Sequence, residues 1–116
     1  IYYGDDWGYS YLEEDIVSAH HFRTNLLYKS EINNYVKYEK GLSPVGFREE
    51  TFFSLRAAYL GYKLGVHTKA VAFHLQTPSG GCRYPNYSQL VQQDNELFMK
   101  WAKLMYTKKG DPFGRK

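Results

Sequence analysis

The chain has 116 residues, 43% hydrophobic and 23% charged, which suits one small folded domain and excludes wholesale disorder. A net charge of +3, from 15 basic and 12 acidic side chains dispersed along the chain, is too small to argue for a nucleic-acid partner. One cysteine, Cys82, excludes an intrachain disulfide framework, and no apolar run approaches the roughly twenty residues that span a bilayer.

In chain order, residues 1–10 mix glycine, aspartate and aromatics and read as an irregular loop, with Asp5-Asp6 as a solvated turn rather than a metal site. Glu13, Glu14 and Asp15 read as an exposed face or a helix start. Phe22, Leu26, Leu27 and Tyr28 predict a strand over 22–28. Neighbours in a strand face opposite sides, which excludes His20 and His21 from a shared ligand site. Ser30 is the expected N-cap of a short helix over 30–38, and Gly41 and Pro44 mark a loop over 39–45.

The stretch 46–81 carries the densest pattern. Glu49 and Glu50 stand at the head of a predicted helix whose apolar face is Phe53, Ala57 and Leu60. Gly61 follows, where a helix stop takes a residue tolerant of positive φ. Two strands are expected over 62–66 and 70–75, with His74 near the end of the second and a loop at Thr77-Pro78-Ser79-Gly80-Gly81. Ser88 is then placed to cap a long helix with a stripe of Val91, Leu97, Phe98, Trp101, Leu104 and Met105. That stripe is expected to pack on the sheet, on a partner domain, or on a second copy through self-association. Residues 1–106 are expected to form the folded portion and 107–116 a flexible basic tail.

Several spaced elements of this stretch resemble the C-terminal half of the catalytic domain of family 2-type glycosyltransferases, which have the GT-A fold. They are Arg48-Glu49-Glu50-Thr51, Ser54-Leu55-Arg56-Ala57, Gly61-Tyr62-Lys63, Ala70-Val71-Ala72-Phe73-His74 and Pro78-Ser79-Gly80-Gly81. The resemblance implies an α/β fold: a partial GT-A domain with a short mixed sheet, flanking helices and a C-terminal amphipathic helix. It implies that Glu50 matches the family's catalytic base and Glu49 the orienting residue before it. His74 corresponds to a histidine that joins the metal site holding the donor diphosphate, with Mn or Mg as the ion. The implied partners are a nucleotide-diphosphate sugar and a glycan or lipid-linked acceptor, without nucleic acid. The expected location is the cytoplasm, extending to the membrane surface. The family's nucleotide-binding half lies upstream of the matched portion, so the isolated chain is expected to be inactive.

The chemistry of sugar transfer has two needs, a base for the acceptor hydroxyl and neutralisation of the leaving diphosphate. A carboxylate in the first turn of a helix meets the first, because the element aims it and the positive helix end keeps it ionised. Glu49 and Glu50 lie about 100° apart around the helix, so they are not equivalent. The same pair is also an ordinary way to satisfy a helix dipole. Lys69 and Arg83 are candidates for phosphate contact or plain solvated charges. The family's motif carries a further acid where this chain has Phe52. That departure keeps open the alternative of a binding or interaction module that retains the scaffold without turnover.

Overall fold

Only Thr51 is β-branched in the run EETFFSLRAAY, so little lost side-chain freedom opposes a helix there. The computed structural model, which describes residues 16–22, 26–70 and 83–114, has helix α1 at Glu49–Tyr59. Among the described residues the other elements are strand β1 (Ile16–Ser18), a 3-10 helix (Ser30–Asn34), strand β2 (Gly65–His67) and helix α2 (Tyr87–Lys109). The molecule is thus a small α/β protein with two α-helices and a two-stranded antiparallel sheet among these residues. Ile16 pairs with His67, Val17 with Val66 and Ser18 with Gly65. No helix among the described residues is long and apolar enough to cross a membrane.

Helix α1 stops as its sequence predicts. Gly61 adopts φ +95°, its N–H donates to Ala58 O (2.9 Å), and the Tyr62 N–H donates to Ala57 O (3.1 Å). These two bonds make the paired closure typical of a glycine-terminated helix. Gly110 ends α2 in the same spirit, with φ +76° and a bond from its N–H to Tyr106 O.

The core divides on the two sides of α1. Phe53 and Ala57, four positions apart, pack with Ile32 and Val36, joined by half-buried Leu26 and Tyr62. Phe52 and Leu55, three apart, pack with Phe98 and Ala102 of α2, joined by Leu42, Leu97, Trp101 and Phe113. Phe52 meets Phe98 edge-on, with centroids 5.2 Å apart, and Trp101 at 5.1 Å. The Arg56 guanidinium lies over both Phe52 and Trp101 and pairs with the Glu39 carboxylate.

Four expectations need correction. The strand predicted over 22–28 is not formed by its described residues: the Phe22 N–H donates to Ser54 Oγ (3.1 Å) rather than to a neighbouring strand, and Leu27 is 99% exposed. The strand predicted over 62–66 forms as β2, shifted to Gly65–His67, because Gly61 and Tyr62 are consumed in closing α1. Its predicted companion over 70–75 lies outside the described residues except for Ala70, which is not in a strand, and the two described strands pair antiparallel. The short helix is 3-10, five residues long rather than reaching 38, and Ser30 is inside it with Lys29 at the cap.

The last correction concerns the C-terminal segment. Helix α2 runs through Tyr106 to Lys109, with Asn86 rather than Ser88 at its N-cap. The Tyr59 hydroxyl donates to Gly110 O (3.1 Å), Phe113 joins the second core cluster, and the His20 ring stacks on Phe113 at 5.0 Å. Residues 107–109 thus extend α2, and Gly110 and Phe113 contact the rest of the fold; Arg115 and Lys116 lie outside the described residues.

Candidate functional site

The start of α1 is built by contacts from a distance. Asp94, fully buried on α2, accepts from the Ser43 N–H (2.7 Å), the Ser43 hydroxyl (2.7 Å) and the Phe47 N–H (2.9 Å). One carboxylate thus ties down the lead-in to α1 at both ends of a five-residue turn. Gly46 has φ +66°, and a β-carbon there would sit 3.2 Å from the Glu49 Oε2, so glycine serves both the turn and the acid beside it. Arg48 takes φ +74°, rare for a residue with a side chain, and donates from Nε to Asn95 Oδ1 (3.1 Å). Its guanidinium lies 5.3 Å from the centroid of Phe98.

Glu49 and Glu50 follow as the first two residues of α1, with Glu49 exposed and Glu50 half-buried. Burial first, then Tyr28, then the charges of Glu49 and Glu50 push the Tyr38 phenol above the usual tyrosine range. Tyr38 stacks on Phe53 at 4.7 Å and Tyr28 meets the same ring at 4.9 Å. Tyr28 and Tyr38 are themselves exposed, at 39% and 46%.

One turn further, α1 presents Thr51 and Ser54, both buried. Ser54 Oγ accepts from the Phe22 N–H and donates to Thr51 O (3.2 Å), while Thr51 Oγ1 lies 3.4 Å from Phe22 O and from His21 Nδ1. His20 turns instead to Phe113, so the two adjacent histidines serve different neighbours.

Of the residues expected to carry chemistry, Glu49 and Glu50 stand together at the start of α1, while His74, Asp5 and Asp6 lie outside the described residues. Lys69 and Arg83 are exposed, in the turn after β2 and just ahead of α2. Among the described residues no group of three or more His, Cys, Asp or Glu side chains is placed to hold a metal ion. Phe52, where the resemblance leads one to expect a further acid, is buried in the core.

Two features have no counterpart in the sequence reading. Asp94 is one: an acid inside the apolar stripe of α2, three positions after Val91 and four before Phe98, is a signal for a buried, fully bonded carboxylate. The other is a pocket of about 420 Å³ on the Phe53–Ala57 side of α1, bounded by Phe22, residues 26–29, Ile32 and residues 61–64. Neither Glu49 nor Glu50 lines it. No family model, curated protein or solved structure matches the chain.

Proposed function

We propose that this chain is the acceptor-side, catalytic-base portion of an inverting family 2-type glycosyltransferase of the GT-A fold, with Glu50 as the base and Glu49 orienting it. The observation that supports this is the construction of the start of α1. A half-buried carboxylate in a first helical turn is aimed by a lead-in that Asp94 holds with three hydrogen bonds. A proton acceptor needs that combination of fixed direction and partial solvent contact. The acceptor hydroxyl would give its proton to Glu50 as its oxygen attacks the donor sugar, and the nucleotide diphosphate would leave. A divalent ion, Mn or Mg with His74 among its ligands, belongs to this reading through the resemblance and would neutralise the leaving diphosphate.

The test is Glu50→Gln in the full-length protein, a change that keeps shape and removes only basicity. Turnover should fall by about 10²–10⁴-fold with the donor Kd nearly constant. Glu49→Gln should lose less. Near-normal turnover in Glu50→Gln would remove the base role. One observation favours the alternative of a binding module without turnover: the position of the family's further acid is spent on core packing by Phe52. On that alternative both glutamine variants would leave sugar or glycan binding unchanged, and no transfer would be measurable in the parent protein.

A further inference from the structure

The pocket beside α1 is of a size typical of small-molecule sites, roughly 300–1,000 Å³, at about 420 Å³. Its floor is apolar, made by Ile32, Phe53, Ala57 and Leu64, all buried. The side-chain hydroxyls that line it are already engaged as donors. Tyr28 donates to Asn33 Oδ1 (3.2 Å), Tyr62 to Glu31 Oε1 (3.1 Å) and Ser54 to Thr51 O (3.2 Å). The two cations among its described lining residues, Lys29 and Lys63, are exposed and make no ion pair or side-chain hydrogen bond with any described residue. A nearby carboxylate, Glu31, is held by Tyr62 and offsets one of the two positive charges.

We propose that this pocket binds a small amphiphilic anion: an aliphatic or aromatic body on the apolar floor, with a phosphate or carboxylate end at Lys29 and Lys63. The chemistry of the lining selects that class. A polyhydroxylated body would bury hydroxyls against Ile32, Phe53, Ala57 and Leu64, whose side chains offer no hydrogen-bond partner, which is costly. A neutral apolar body would leave both ammonium groups unused. The site is independent of the catalytic reading, because neither acid of the pair lines it.

The experiment is a titration of the intact chain with octyl phosphate at low salt, followed by methyl NMR, with octanol and glucose phosphate as the other two arms. Octyl phosphate should shift the methyl signals of Ile32, Ala57 and Leu64 saturably; octanol should shift them with weaker affinity, and glucose phosphate should leave them unmoved. The exposed double variant Lys29→Gln, Lys63→Gln should weaken octyl phosphate about five- to tenfold, the scale of two exposed ion pairs, and leave octanol unchanged. Equal binding of glucose phosphate, shifts confined to other methyls, or no loss in the double variant would overturn the proposal. So would methyl shifts that follow protein concentration rather than ligand, which would make the pocket a contact between copies.

Discussion

The two sides of α1 start from the same residue types and end differently. Toward α2, Phe52, Leu55, Phe98 and Ala102 are buried together, an arginine lies over two of the rings, and a buried carboxylate seals the adjoining loop. Toward the 3-10 helix, Phe53 and Ala57 meet Ile32 and Val36 but leave a pocket open beside them. The filled side is backed by a 23-residue helix, which presents a continuous ridge. The open side is backed by five residues of 3-10 helix and by irregular backbone, which cannot supply one. Stability and room for a ligand are thus divided between the two faces of a single helix.

Truncation on each side breaks or sharpens that contrast. Phe98→Ala, on the filled side, should cost about 3–5 kcal/mol in urea unfolding, because the ring is fully enclosed. Ile32→Ala, beside the pocket, should fall at the low end of its class, about 2 kcal/mol. Equal losses would mean that the two sides are equally well packed. Asp94→Asn should come next, at about 1.5–3 kcal/mol: it removes the charge and turns one of two accepting oxygens into a donor facing Ser43 or Phe47. A lower urea midpoint at constant slope is the expected record.

The smallest effect belongs to Glu39. The Gly41 N–H donating to it holds its carboxyl below the usual carboxylate range, against the opposing effect of burial, and Arg56 adds to the lowering. A depressed folded-state value means that its contribution is present above the unfolded-state pKa and is lost as pH falls through the folded value. Glu39→Gln should therefore cost under about 1 kcal/mol at neutral pH, and its unfolding curve should merge with that of the unsubstituted chain in acid. A gap that widens in acid would reverse the sign and contradict the pairing.

Helix α1, its acidic start, its glycine stop and the stripe of α2 were legible because each is written in local spacing. Spacing does not state how wide a buried face is. Leu60 and Leu104 fit the period yet are 53% and 52% exposed. Strand β1 was missed because three residues with one half-buried position carry no alternation to read. Glu50 was placed at a helix start by its neighbours, but its partial burial is a tertiary property that spacing does not state. The pocket was invisible for a related reason: its walls come from segments thirty and more positions apart, 26–29 and 61–64, and no local pattern announces that they meet.

The left-handed turn at Arg48 ties the placement of the acidic pair to a distant part of the chain. An arginine disfavours that backbone region in an isolated chain, so the turn gains nothing by forming early. What holds it, Asp94 on Phe47 and Asn95 on Arg48, arrives from 47 positions downstream. Closing so long a loop carries an entropic cost that these contacts must offset. The orientation of Glu49 and Glu50 is then a property of the assembled protein, absent from any peptide that spans them, and it lapses whenever the N-terminal half of α2 detaches.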